Sequence, residues 1–166
     1  MNYSLRPATI GDLAAINAIY THSVLHSTAT YQTEPSTDAE RAAWFAAHGP
    51  PHPVIVAEIA GRVAGWGSLS SFHARAAFAR TVEESVYIHQ DFHRRGIGRA
   101  ILADLLAQAK NLGHHRVIAA ISGEQDPSLA LHRALGFVEV GHLTEVGFKF
   151  GKWLDLVYLE YRIPRT

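Results

Sequence analysis

Apolar residues recur along this chain with two alternating periods, one of strands and one of helices. Residues 3–6 read as a short strand. Thr9 and Asp12 then form a capping pattern, and Leu13, Ile16, Ile19 and Tyr20 return at helical spacing. Thr37 with Glu40 opens a second, short helix carrying Trp44 and Phe45, and Pro50-Pro51-His52-Pro53 ends it. Residues 54–59 and 63–70 flank Ala60-Gly61-Arg62 and predict a hairpin. Residues 71–80 form an irregular loop rich in Phe, Arg and Ala, followed by a strand over 81–88. The helix over 97–111 buries Ile97, Ile101, Leu102, Leu105 and Leu106. A buried strand over 117–122, a short helix over 128–135, a strand starting at Gly136-Phe137 and a last strand over 155–163 complete the order. That order predicts a mixed α/β sheet with helices on both faces.

Composition narrows the classes of function. Lys+Arg and Asp+Glu both number 15, so the basic excess of a nucleic-acid binder is missing. With no cysteine, disulfides, thiolate metal sites and a Cys nucleophile are excluded. The opening Met1-Asn2-Tyr3-Ser4-Leu5-Arg6 does not read as a signal peptide, and no apolar run is long enough to span a membrane. The expectation is a single domain over 1–166, cytoplasmic, without nucleic-acid or membrane partners. The 11 histidines include His22/His26 and His89/His93, each four apart, but no His-Glu-x-x-His occurs, and no metal site is expected.

The most informative stretch is His93-Arg94-Arg95-Gly96-Ile97-Gly98-Arg99, between a strand and a long helix. Glycines let backbone N–H groups approach a ligand, and a helix N-terminus carries partial positive charge. The arginines add charge-assisted donors, so the loop fits a pyrophosphate. It lacks the third glycine and the acidic ribose partner of the dinucleotide fingerprint, and no Gly-Lys-Ser/Thr of a P-loop follows.

Here the chain resembles the GNAT N-acetyltransferases, whose acetyl-CoA signature is Gln/Arg-x-x-Gly-x-Gly/Ala between the fourth strand and the third helix. His93 takes the first position, a departure from Gln or Arg, and Gly96 and Gly98 are the glycines. More closely, it is similar to the phosphinothricin and methionine sulfoximine acetyltransferases. The likeness covers Ile19-Tyr20 with His22, Thr33-Glu34-Pro35, Thr81-Val82-Glu83 with Ser85-Val86-Tyr87-Ile88, Leu131-His132 with Leu135-Gly136-Phe137, and the block Val146-Gly147-Phe148-Lys149-Phe150-Gly151-Lys152-Trp153-Leu154-Asp155.

The resemblance implies a GNAT fold with a mostly antiparallel sheet of about seven strands, and transfer of acetyl from acetyl-CoA to the α-amine of a small amino acid such as phosphinothricin, methionine sulfoximine or methionine sulfone. The amine must be neutral to attack, which requires a general base. The resemblance assigns that role to Glu83. Strand alternation agrees, because Thr81, Glu83, Ser85 and Tyr87 share one face, while Glu84 falls among Val82, Val86 and Ile88. His132 matches a position proposed to assist catalysis, and a structural His in a short helix is the alternative. The pantetheine arm would pair with backbone groups of Val86, Tyr87 and Ile88. The pyrophosphate would lie on His93, Arg94, Arg95, Gly96, Ile97, Gly98 and Arg99. Gln125 stands where relatives carry an Asn, three residues before Ser128. The acceptor site would draw on Tyr31, Phe72, Arg75, Ala76, Phe78 and Lys149, with Arg75 as a carboxylate clamp. Relatives of this kind are commonly homodimers. The competing readings are an acetyltransferase for another small amine or a peptide N-terminus, and a non-catalytic acetyl-CoA sensor.

Overall fold

A computed structural model describes residues 3–164; Met1 and Asn2 of the opening segment lie outside the described residues. The strands are β1 (Ser4–Pro7), β2 (Val54–Ile59), β3 (Arg62–Ser71), β4 (Thr81–Ile88), β5 (Arg116–Ser122), β6 (Val138–Lys149) and β7 (Lys152–Arg162). The helices are α1 (Leu13–His26), α2 (Asp38–Ala46), α3 (Ile97–Asn111) and α4 (Asp126–Ala134). All strands join one sheet in the order β1-β2-β3-β4-β5-β7-β6. Every neighbouring pair is antiparallel except β4 with β5.

The helices start where the polar pattern dictates. The Asp12 carboxylate accepts from both N–H and Oγ1 of Thr9, opening a 3-10 turn that runs into α1. Thr37 and Glu40 exchange the reciprocal bonds of a capping box at α2. On one sheet face, Ile97, Ile101, Leu102 and Leu105 of α3 pack with Val82, Val117 and Ala119. On the other, Ile16 and Ile19 of α1, with Trp44 and Phe45 of α2, pack against Val54, Val56 and Trp66. Helix α3 approaches β3 through Gly67, where an added Cβ would meet Ile101 Cγ2 at 2.5 Å and Leu105 Cδ1 at 3.0 Å.

One feature of the sheet positions the site. Strand β4 pairs with β3 over its whole length, from Val82↔Ser71 to Ile88↔Gly65. With β5 it pairs only at Thr81↔Arg116, Val82↔Val117 and Glu83↔Ile118. Beyond Glu83 the two parallel strands part, while β5 stays paired to β7 as far as Ser122. The resulting wedge opens in the middle of the sheet, and the loop before α3 lies at its wide end. Among the described residues, no helix is long and apolar enough to cross a membrane.

Candidate active site

A cavity of about 320 Å³ fills the wedge, lined by Glu83, Glu84, Ser85, Val86 and Tyr87 of β4, Ala29, Thr30 and Tyr31 after α1, and Gln125, Ser128 and His132 at α4. The sequence motifs of β4 and α4, some 50 residues apart, thus meet at one point because β4 and β5 are adjacent while α4 follows β5.

Glu83 is half-buried, and none of the described residues hydrogen-bonds its carboxylate. Burial raises its pKa above the ordinary carboxylate range, and the neighbouring charge of Glu84 raises it further. A carboxylate held in this way binds a proton more readily at neutral pH, which is what a general base requires.

The alternation of β4 is regular, so Glu84 points to the opposite face, as the apolar company of Val82 and Val86 predicts. Its surroundings differ from that prediction. Glu84 is buried, and its Oε1 lies 2.9 Å from His132 Nε2 in an ion pair between side chains 5% and 3% exposed. His132 Nδ1 is 2.7 Å from the Ser128 carbonyl, which only accepts, so Nδ1 carries a hydrogen. Burial opposes the charged imidazole, but the hydrogen bond and charge of Glu84, with the Ser128 carbonyl, outweigh it and raise the pKa of His132. The ring is further fixed by an edge contact with Phe137 at 5.0 Å. Glu84 Oε2 has no hydrogen-bond partner among the described residues.

At the wide end of the wedge, Gly96 adopts φ 77°, the left-handed region, and serves as the N-cap of α3 with no side-chain cap. The first helical backbone bond runs from Ala100 N–H to Gly96 O at 3.1 Å, which leaves the N–H groups of Ile97, Gly98 and Arg99 at the open helix end. Arg94, Arg95 and Arg99 are exposed around this turn. Arg95 also lies over the Phe92 ring, 5.2 Å from its centroid. His93 Nε2 donates to Ile88 O at 3.0 Å, so its ring ties the turn to the end of β4.

The remaining expected residues divide. Tyr31 lines the wedge cavity, and its hydroxyl donates to Asp155 O; a Cβ at Gly147 would run into its ring. Gln125 also lines the cavity, and its amide donates to Thr28 Oγ1 at 2.9 Å. Phe72, Arg75, Ala76 and Phe78 sit on the exposed loop between β3 and β4, with the Phe72 and Phe78 rings 5.9 Å apart and edge-on. Arg75 N–H donates to His73 Nδ1 at 3.1 Å, and Phe78 N–H donates to Arg75 O at 3.0 Å. None of these four lines the wedge cavity. Lys149 is buried, and its ammonium donates to Ser27 O at 2.7 Å and Thr30 O at 2.8 Å. It ties β6 to the loop after α1 rather than facing the cavity. Sequence reasoning missed the roles of Glu84, Thr28 and Thr30, whose partners lie in remote segments. Among the described residues there is no cluster of three or more side chains able to hold a metal.

Comparison with known proteins agrees with this geometry. The model of the acetyltransferase (GNAT) family matches residues 16–137. The chain is 38% identical over 161 residues to an L-amino acid N-acyltransferase of Escherichia coli, covering 96% of this chain and 94% of that protein. It is 36% identical to an L-methionine sulfoximine/L-methionine sulfone acetyltransferase of Salmonella typhimurium, covering 96% and 94%. The crystal structure of a phosphinothricin acetyltransferase from Sinorhizobium meliloti in complex with acetyl-CoA matches with a TM-score of 0.95 and 39% identity, over 98% of this chain and 89% of that one. The overall fold is thus shared with that structure, and the chain belongs to the acetyltransferase (GNAT) family.

Proposed function

We propose that this enzyme uses acetyl-CoA to acetylate the α-amine of a small amino acid or analogue of the methionine sulfone, methionine sulfoximine or phosphinothricin type. The observation that carries the reading is Glu83: half-buried, without a hydrogen-bond partner among the described residues, raised in pKa, and set where β4 leaves β5. Glu83 takes a proton from the acceptor ammonium, directly or through a water, and the neutral amine attacks. Acetyl-CoA supplies the acetyl group as a thioester. The CoA sulfur leaves as thiolate, and His132, whose Nε2 holds Glu84 and whose Nδ1 holds the Ser128 carbonyl, keeps the cavity wall and the Glu84 charge in position. The freed edge of β4 at Val86, Tyr87 and Ile88 offers peptide groups to the pantetheine arm. The turn from His93 to Arg99 offers backbone N–H groups and guanidinium groups to the pyrophosphate, and Gln125 and Ser128 border the arm. Tyr31 walls the acceptor side. Phe72, Arg75, Ala76 and Phe78 on the exposed β3–β4 loop form its outer rim, and Lys149 holds its floor in place through the loop after α1.

The reading includes a single cytoplasmic domain over 1–166 and a homodimer. Strand β6 is the sheet edge, and Val146, Phe148, Phe150 and Trp153 on the β6–β7 arm are each more than half exposed, a patch suited to a second copy. The test is thiol release from acetyl-CoA across a panel of amino-acid analogues. Methionine sulfone and phosphinothricin should support release, and Glu83→Gln should lower kcat by about 100-fold or more without changing acetyl-CoA binding. Release that is unchanged in Glu83→Gln across the pH range overturns the assignment of the base.

A further inference from the structure

A second cavity, of about 170 Å³, lies on the α1/α2 face of the sheet and shares Tyr20, Ser85 and Tyr87 with the wedge. Its roof holds a cation with no counter-ion among the described residues. Arg41 of α2 is only 5% exposed, yet its side chain makes one hydrogen bond, from Nε to Asn17 Oδ1 at 3.2 Å. Its guanidinium carbon lies 4.7 Å from the Tyr20 ring centroid and 4.8 Å from that of Trp44. The aromatic faces hold the plane of the fork but accept none of its in-plane N–H groups. Glu40 also lines the cavity, but it is exposed and its carboxylate is occupied by Thr37 N–H and Oγ1. Asp38 is one amide away, behind Asn17.

The floor repeats the same excess of donors. Ser68 and Ser85 stand directly opposite each other on β3 and β4, both line the cavity, and neither hydroxyl has a hydrogen bond among the described residues. Gln32 lies at the side, with its amide nitrogen bonded to Glu34 O and Ser36 Oγ. A guanidinium enclosed by aromatic rings lines the same cavity as two hydroxyls, with most of these polar groups unbonded among the described residues, and such a lining is best matched by an acceptor-rich group. Ser85 and Glu83 share one face of β4, two residues or about 7 Å apart along the strand. An amino acid with its α-nitrogen at Glu83 and a side chain of methionine or glutamate length spans that interval.

We infer that Arg41, with Ser68 and Ser85, forms a subsite for the oxygen-bearing terminus of the acceptor side chain — sulfone, phosphinate or carboxylate. This inference rests on the proposed amino-acid acetylation and names what selects the substrate. The fork and the two hydroxyls recognise the terminal oxygens, and a thioether or alkyl terminus leaves them unsatisfied.

The test compares L-methionine sulfone with L-methionine, which differ only in two oxygen atoms. One charge-assisted hydrogen bond predicts that the wild type prefers the sulfone by about 10-fold or more in kcat/KM. Arg41→Lys, which keeps the charge and loses the fork, should cut that preference to within about threefold by raising the sulfone KM, with the KM for acetyl-CoA unchanged. Ser85→Ala, a smaller change, should lower the preference partially and decides the matter if the Arg41 variant fails to fold. A second readout is independent of turnover. Trp44 and Trp66 both lie beside Arg41, so methionine sulfone should give a saturable change in tryptophan fluorescence that is weakened by either substitution. A folded Arg41→Lys or Ser85→Ala enzyme with the wild-type preference overturns the subsite, as does a wild type that turns over both acceptors equally. Saturable fluorescence with no thiol release from any acceptor upholds the subsite and overturns the acetyl-transfer reading instead.

Discussion

Glu84→Ala removes one member of a buried charged pair, and the proton positions make its effect depend on pH in a defined direction. In the wild type, His132 Nδ1–H is committed to Ser128 O, and Nε2 faces Glu84 Oε1 at 2.9 Å. With Glu84 ionised, the ring binds both protons. Its folded pKa is raised despite burial. The contribution is therefore fully present below the unfolded value of about 6.5 and is lost as pH rises through the higher folded value. In Glu84→Ala only burial and the Ser128 carbonyl remain, and the charged ring becomes the unfavourable form. Both side chains are almost wholly buried, so solvent screening does not dilute the effect. Breaking such a pair costs about 3 kcal/mol, which lowers Tm by roughly 6–12 °C for a chain of this size. At about pH 9 the ring has lost its Nε2 proton while Nδ1–H stays on Ser128 O, so Nε2 and the carboxylate share no hydrogen and the substitution costs little. Urea unfolding of wild type and Glu84→Ala at about pH 5.5 and about pH 9 measures both gaps. Glu84→Gln, whose amide can donate to the unprotonated Nε2, should be at least as stable as wild type at the higher pH and less stable at the lower. A gap that is constant with pH, or wider at high pH, refutes the charged-pair assignment.

Three further outcomes follow from the same contacts. Because Glu84 is the second cause of the raised Glu83 pKa, Glu84→Gln should move the acidic limb of the pH–rate profile to lower pH, whereas an unmoved limb would detach that limb from Glu83. Gly67→Ala drives a Cβ against Ile101, Leu105 and the Ser85 carbonyl and should cost about 1–3 kcal/mol in denaturant unfolding; a neutral result would mean that α3 shifts freely on the sheet. Asp12, bound by Arg6 through two 2.8 Å hydrogen bonds, has its pKa lowered to about 2. Its contribution exists above the unfolded carboxylate value and fades as pH falls through the folded one, so Asp12→Asn should destabilise at neutral pH and have little effect at about pH 2.

Element order, both capping pairs and the buried face of α3 were legible because each depends on residues within a few positions of one another. The turn at Gly96 was legible for the same reason, since a positive φ, an uncapped helix start and nearby arginines are all local. The opposite orientations of Glu83 and Glu84 also followed from strand period alone. What each carboxylate meets did not. Glu84 finds its imidazole 48 residues later, and no periodicity encodes which face of β4 the helix after β5 will cover. Lys149 reads as a pocket cation, yet it bonds two carbonyls more than 100 residues upstream. Arg41 reads as one charge on a short amphipathic helix, and only the packing of three separate elements turns it into an enclosed guanidinium. Local chemistry therefore announced the glycine turn before α3, while the Glu84–His132 pair and the enclosure of Arg41 are assembled by tertiary contact.

The parting of β4 from β5 leaves the β5-facing edge of β4 beyond Glu83 without a strand partner, in the middle of the sheet rather than at its rim. Rim strands invite other chains, and this inner one is shielded from them by the walls on either side. Only a slender molecule able to donate and accept along its length can complete the missing rungs. When such a molecule arrives it continues the ladder, so the filled enzyme should be stiffer along β4 and slower to exchange its amide hydrogens there than the empty one.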